Sequence, residues 1–567
     1  MKLNKNNVFV GDFETTPQAQ YEIEGRTRVY LFEYKNIKNT IKRVGISIEE
    51  FFNSLYELKQ NIIMYFHNGS NFDFEFIMWY LFENNFKNVA SEKELDNFCF
   101  TSIITDLKRI YNLKLKYNNY TIEFRCSYLI LPTTIKKMGK SLGLEKLDET
   151  HNYTELKNFN SIEEVTEEEL NYLENDVEIL RLAIIFALDN GLTKLTIASS
   201  AYNRLKQKNY FAFRDIYEIT DEYQRYIIDK SYKGGIVQVN KKYACKEINE
   251  PFISLDVNSL YPFIMMSNSM PIGEPKYYTD IQDYYNSSYK KAIIHIYVEK
   301  AKIIDGCIPF IPSKGIQRYG ASYEYEEYLE SVDLYLWEEK FELFKNFYIA
   351  EYDIVEVLAF KEKKDFFKDY LEDLFSMKEN AKDEFIRLIA KLLMNSTYGK
   401  FAMKQKQLMS IPYMNEETGM IEYMMVEEDG KYYAKEIASY ITSQASNYWV
   451  EMVECNADRF IYGDTDSVYL MGTELPEFCD IDSKRIGAWK LEHIYPKGKF
   501  LKAKCYIKTL EDGTIDGAIA GLPKDARWLI NYNNFEIGLT LKDCKNVSKR
   551  VKGGVIITKT DFSIKVN

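Results

Sequence analysis

Two rhythms of apolar and polar positions run along the 567 residues. In the first third, short continuous apolar runs in "N-V-F-V-G-D-F-E" (7–14) and "I-I-M-Y-F-H-N" (62–68) read as strands. The segment "E-E-E-L-N-Y-L-E-N-D-V-E-I-L-R-L-A-I-I-F-A-L" (167–188) repeats its apolar positions at three and four, as a helix does. An α/β unit over residues 1–195 follows. Farther along, "F-I-S-L-D-V" (252–257) predicts a strand, and 323–345 predicts a very acidic helix. Residues 365–402 predict an amphipathic helix or helix pair, and 410–426 alternate around a turn as a hairpin would. The final stretch of about 30 residues is basic and strand-like, and no internal repeat is visible.

Composition narrows the classes. The length suits roughly three to four domains, with enough apolar residues for sizeable cores. No apolar run approaches ~18 residues, and the N-terminus turns acidic too early for a signal peptide, so a soluble protein that stays where it is made is expected. Eight scattered cysteines with no C-x-x-C imply reduced thiols. Four histidines (67, 151, 295, 493) without ligand spacing leave carboxylates to hold any metal, which points to Mg²⁺ or Mn²⁺. The net charge of −12 argues against a nucleic-acid partner until its distribution is considered. Acid gathers at 163–169, 323–328 and 427–429. Base gathers in "K-G-K-F-L-K-A-K-C-Y-I-K" (497–508), where Phe500 and Tyr506 interleave with lysines, and at 548–554.

Carboxylates recur where apolar strands should be. "D-F-E" puts Asp12 and Glu14 on one face of the opening strand. "H-N-G-S-N-F-D" supplies Asn68 and Asp73 at a strand end, and "Y-L-E-N-D" sets Tyr172 and Asp176 one helical turn apart. If they converge, these four carboxylates suffice for two divalent ions acting on a phosphodiester. Each piece alone is common by chance.

The second half carries a second set. Asp256 closes the strand "S-L-D-V-N-S-L-Y-P" and is followed by Tyr261. "K-L-L-M-N-S-T-Y-G-K" places Lys391, Asn395 and Tyr398 on one helical stripe, an unusual composition for a core. "Y-G-D-T-D-S" inserts Asp464 and Asp466 into an otherwise apolar hairpin. A surface turn capped by Asp explains that hexapeptide equally well in isolation. Without a cation, a close carboxylate pair would raise each other's pKa.

Taken in order, these segments resemble the family B DNA polymerases. Asp12-Phe-Glu14, Asn68…Phe72-Asp73 and Tyr172-x-x-x-Asp176 resemble the three proofreading exonuclease motifs. Asp256, Lys391–Tyr398 and Asp464–Asp466 resemble polymerase motifs A, B and C. The resemblance implies an α/β and α+β multidomain chain: an RNase H-like 3′–5′ exonuclease domain, then a right-hand polymerase with palm, fingers and thumb. It implies metal-site roles for Asp12, Glu14, Asp73 and Asp176, with Tyr172 orienting the attacking water. In "E-K-L-D", Lys146 would approach the scissile phosphate and Asp148 a metal. Thr15, Asn68, Phe72 and Ser127 match positions that hold an unpaired 3′ end. Asp256, the Val257 carbonyl and Asp466 would hold two Mg²⁺ (Mn²⁺ substituting) per active site, with Asp464 auxiliary. Lys378, Arg387 and Lys391 would meet the triphosphate, Asn395 and Tyr398 the base pair, and Tyr261 the incoming sugar.

Further segments resemble the protein-primed branch found in small tailed bacteriophages with linear genomes. "S-Y-K-G-G-I" supplies Tyr232, Gly234 and Gly235 of a linker element that touches DNA, and Lys504 and Tyr506 match a Lys-x-Tyr element on the primer strand. Asp256 and Lys391 lie 135 positions apart, more than a palm needs, and a hairpin separates motifs B and C. These segments match two insertions of that branch. The implied organisation is exonuclease 1–195, palm 196–267, priming-protein insertion 268–367, fingers 368–402, tunnel-closing hairpin 403–434, palm 435–535 and thumb 536–567. Implied partners are template-primer DNA, deoxynucleoside triphosphates and a terminal protein, with no membrane, for a monomer in the cytoplasm of an infected bacterial host. Departures are an extra residue between Asn68 and Phe72, Tyr128 beside Ser127, and Gly463 before the aspartate pair. The rivals are an RNA- or DNA-primed family B polymerase, a nuclease with a non-catalytic DNA-binding half, a non-enzymatic DNA-binding module and a reverse transcriptase.

Overall fold

The computed structural model describes residues 4–147, 156–313, 325–476 and 479–565. Its first unit is built on an eight-stranded sheet in which the strand Val8–Thr15 is third from one edge, antiparallel to Val29–Asn36 and parallel to Ile62–Phe66. Both faces are covered, which explains the unbroken apolar runs. The helix Glu167–Asp189 lies on one face, packing Leu173, Val177 and Leu180 near Val8 and Val10. A mostly aromatic core of Phe9, Phe32, Phe51, Phe66 and Phe124 fills the other. Burial relaxes only at the end of Val8–Thr15, where Asp12 and Glu14 emerge.

A second sheet has five antiparallel strands in the order Trp489–Tyr495, Phe252–Val257, Ser467–Met471, Phe460–Asp464 and Val237–Val239. Helix Lys435–Glu454 backs it, with Trp449 packed on Phe460. Beside it, Lys368–Glu379 and Glu384–Phe401 form the expected helix pair. The hairpin is longer than the alternation suggested, pairing Lys406–Met414 with Ile421–Asp429. The basic C-terminal segment is the two-stranded ribbon Thr540–Val551 and Gly554–Ser563.

One expectation is corrected. Residues 323–345 are not one helix: the described part holds the strand Tyr328–Trp337 followed by the helix Glu338–Phe347. That strand is the outer member of a sheet ordered Met270–Tyr278, Tyr348–Lys363, Lys291–Ile303, Tyr328–Trp337. Its Leu329, Leu334 and Trp337 turn inward, while Glu330 and Asp333 stay in solvent. Acidic residues on an edge strand discourage pairing with another chain.

Candidate functional site

Two carboxylate clusters form, one per half. In the first, the strand Val8–Thr15 ends beside the helix Asp73–Glu83 and the buried face of Glu167–Asp189 that carries Tyr172 and Asp176. Burial pushes the Asp12 carboxyl well above its ordinary range, and the charges of Asp73, Asp176 and Glu14 add to the shift while Lys146 opposes it. Asp73 is likewise raised by burial to about 7, and its Oδ1 is buried without a hydrogen-bond partner. Lys146 donates to Asp176 Oδ2 at 2.6 Å and lies 4.9 Å from the centre of the Tyr172 ring. Asp148 falls outside the described residues.

The surrounding loop absorbs the extra residue noted above. Asn68 sits at φ 59°, Gly69–Asn71 form one tight turn, and Asn71 Nδ2 donates to Asn68 Oδ1 at 3.0 Å. Asn68 is exposed, Phe72 and Thr15 are half-buried, and Phe72 contacts Phe76. Ser127 is fully buried and its hydroxyl is paired with His67 Nδ1 at 2.9 Å, which braces the loop. The exposed neighbour is Tyr128, whose ring stands edge-on to His67.

In the second cluster, Asp256 pairs in register with Ser467, and the Val257 N–H donates to the Asp466 carbonyl at 2.8 Å. Burial raises Asp256 to about 7, with Asp466 and then Glu492 adding repulsion and Lys490 and Lys391 opposing. Asp466 is also raised by burial, with Asp464 adding repulsion. Asp464 is held by Lys504 Nζ at 2.8 Å. Lys504 has φ 55°, and its own N–H donates to Tyr462 OH.

The turn between Asp464 and Asp466 is clamped. Thr465 is β-branched and yet has φ 63°, a conformation costing on the order of 1–3 kcal/mol unless its surroundings impose it. Its N–H donates to the Ile236 carbonyl at 2.7 Å. A Cβ on Gly235 would lie 2.6 Å from Thr465 Oγ1, so the linker glycine lets the backbone press on this turn. A Cβ on Gly463 would meet the Trp449 ring at 2.1 Å, and the Trp449 indole N–H donates to Ser467 O at 3.0 Å.

The nucleotide-side residues gather around these carboxylates. Tyr261 and Tyr398 stack with ring centroids 4.4 Å apart and planes within 2°. Tyr232 lies near enough to Tyr398 to raise its own hydroxyl pKa, after burial. Lys391 and Asn395 are exposed on the same helix, so the stripe is an open face and not core. Among the described residues, Lys378, Arg387 and Lys391 have no carboxylate at ion-pair distance; Arg387 reaches only the Ala381 carbonyl at 3.4 Å. Gly234 is exposed beside Gly235, and Tyr506 packs on Tyr462 and Phe500.

Both clusters suit hard divalent cations, because buried carboxylates that repel one another need positive charge. Among the described residues, no three His, Cys, Asp or Glu groups already stand at ligand spacing. Lys146 and Lys504 each neutralise one of these carboxylates, Asp176 and Asp464. Glu492 was missed from the sequence. It sits at a register shift of the strand Trp489–Tyr495 opposite Ser254/Leu255, a tertiary neighbourhood with no local signal. His67 and Trp449, which fix Ser127 and the Gly463 turn, were missed for the same reason.

The chain matches the family model for DNA polymerase type B, organellar and viral, over residues 57–152 and 144–484. It is 31% identical to the DNA polymerase of Streptococcus phage Cp-1, covering 98% of each chain. It is 29% identical to that of Bacillus phage phi29, covering 100% of each. The phi29 DNA polymerase structure complexed with primer-template DNA and incoming nucleotide substrates matches with TM-score 0.88 at 27% identity, covering 98% of this chain and 100% of that one.

Proposed function

Because this chain belongs to the type B DNA polymerases of organellar and viral kind, and is a DNA-directed DNA polymerase, we propose that it replicates a linear viral genome by protein-primed initiation and strand displacement, with its own 3′–5′ proofreading nuclease. Its fold is that of a multidomain family B enzyme, and polymerases of this kind act on DNA and deoxynucleotides with divalent metal ions.

Asp256 and Asp466 are the ligands for two Mg²⁺, with the Val257 carbonyl beside them. Bound there, the cations lower the pKa of the primer 3′-hydroxyl and steady the departing pyrophosphate. Asp464, tethered by Lys504, holds the turn. Lys378, Arg387 and Lys391 neutralise the triphosphate, Tyr261 excludes a 2′-hydroxyl, and Tyr398 with Asn395 floors the nascent pair. Tyr232, Gly234, Gly235, Lys504 and Tyr506 follow the DNA. In the first unit, Asp12, Glu14, Asp73 and Asp176 form the second metal site, with Asp148 near it. Tyr172 orients water, Lys146 approaches the scissile phosphate, and Thr15, Asn68 and Phe72 receive the frayed strand. Residues 268–367 dock the priming protein, whose Ser, Thr or Tyr hydroxyl replaces the primer end.

The observation that carries polymerisation is the pairing of Asp256 against Ser467, beside Asp466 and the Tyr261–Tyr398 stack. The test supplies labelled deoxynucleotide, Mg²⁺, the cognate priming protein and a genome end. Label surviving denaturation on the priming protein, absent with Asp256→Ala, is expected. Oligonucleotide extension without that label would transfer the reading to an enzyme primed by RNA or DNA.

A further inference from the structure

A cavity of about 810 Å³ opens between the linker Tyr232–Ile236, the strand Tyr328–Trp337 and the helix Lys435–Glu454. Its deepest cation is Lys340, on the helix Glu338–Phe347, only 9% exposed. The Lys340 ammonium donates to Ser446 Oγ at 2.8 Å and lies 4.5 Å from the centre of the Phe310 ring. That hydroxyl already donates to the Ser443 carbonyl, so it offers the ammonium a lone pair and no charge. Among the described residues, no carboxylate stands within ion-pair distance of it.

An isolated ammonium in such a place is costly. Burial accordingly drags the Lys340 pKa down to about 7. A structural role would be served better by Met, an unbranched apolar chain of similar length. The cavity is also lined by Lys230 and Lys233, both exposed at its mouth. The peptide N–H groups of Gly234 and Gly235 make no hydrogen bond among the described residues. The acidic lining residues Glu330 and Asp333 are exposed at the rim, Asp333 being tied to His295 at 2.8 Å. Three cations and two free N–H donors around an open volume make a receptor for a phosphate group. Gly235 also presses on Thr465, so this volume begins one peptide segment from the Asp464–Asp466 turn.

We propose that Lys340, supplied by the insertion 268–367, contacts a backbone phosphate of the DNA strand that runs along Tyr232–Gly235 at the polymerase site. The insertion thereby serves elongation as well as any docking role. The inference rests on the polymerase reading only in taking DNA as the ligand.

The test compares wild type with Lys340→Met and Lys340→Arg. Affinity for an oligonucleotide primer-template is measured by fluorescence anisotropy across a salt series, beside thermal melting of the DNA-free protein. Lys340→Met is expected to bind several-fold more weakly, with a salt slope smaller by about 1, and to melt higher than wild type. Lys340→Arg is expected to keep the slope. Unchanged affinity and slope in Lys340→Met would overturn the proposal, as would a lower melting temperature with binding intact, which marks a purely structural lysine. Nucleotide addition at saturating DNA is measured in parallel. Its absence in wild type would count against the polymerase reading while the binding comparison still decides the role of Lys340.

Discussion

Arg550 and Glu75, 475 positions apart, meet at 2.6 Å and tie the terminal ribbon to the first unit. Glu75 is 2% exposed on the first unit, and burial holds its carboxyl above the ordinary range with Arg550 pulling it down. Arg550, on the terminal ribbon, also donates to the Lys108 carbonyl and lies 5.2 Å from the Tyr423 ring of the 406–429 hairpin. First unit, hairpin and ribbon thus share one ion pair. Arg550→Ala strands a buried carboxylate, at a cost on the order of 2 kcal/mol given that the arginine is partly solvated. Extension in the presence of excess competitor DNA should yield shorter products at an unchanged rate for a single addition. Glu75→Gln should be milder, since the arginine it leaves without a counter-charge is partly solvated. Full-length products from Arg550→Ala would show that this junction can be broken without consequence.

The two carboxylate clusters should fail independently. Asp256→Ala or Asp466→Ala should slow nucleotide addition by at least about 1,000-fold, the loss of several kcal/mol of electrostatic stabilisation, with degradation of single strands intact. Asp12→Ala with Glu14→Ala should do the reverse. Loss of both activities in a folded variant would refute two separate sites.

Tyr261, proposed to exclude a 2′-hydroxyl, stacks on Tyr398. Tyr261→Val should therefore raise ribonucleotide incorporation relative to deoxynucleotides by at least tenfold. That figure corresponds to about 1.4 kcal/mol of lost steric exclusion. Single-turnover assays with both substrates measure the ratio.

Stability of the metal-free protein should report on Asp256. Its raised pKa means that folding favours the protonated form, so this group's contribution to stability falls as pH rises from the unfolded carboxylate range through about 7. Mg²⁺ should accordingly raise the melting temperature more at pH 8 than at pH 6. With EDTA at pH 8, Asp256→Asn should melt above wild type while adding no nucleotide. Equal Mg²⁺ effects at both pH values would count against a cation at this carboxylate.

Most of the frame was legible, and the failures have one physical origin. The helix Glu167–Asp189 and the strand Phe252–Val257 follow from periodicity because each buries one predictable set of side chains. The 323–345 segment misled because Tyr328–Trp337 is an edge strand: its acids face water and mimic the solvated side of a helix. Asp256, Asp464 and Asp466 announced themselves as charges inside apolar runs. Glu492 did not, since its approach to Asp256 is made by a register shift between distant strands. The contact of Ser127 with His67 is likewise a tertiary one with no local signal.

The sheet that joins Phe252–Val257 to Ser467–Met471 also sets an order of assembly during synthesis. Asp12, Asp73 and Asp176 all belong to one contiguous stretch ending near residue 189, so every element that carries them leaves the ribosome first. Asp256 must wait for Asp466, and the intervening chain has to close a very long loop first, a slow and entropically expensive step. A nascent chain stalled between the two would carry the first carboxylate cluster complete and the second half-built. The part proposed to degrade DNA is thus available before the part that makes it.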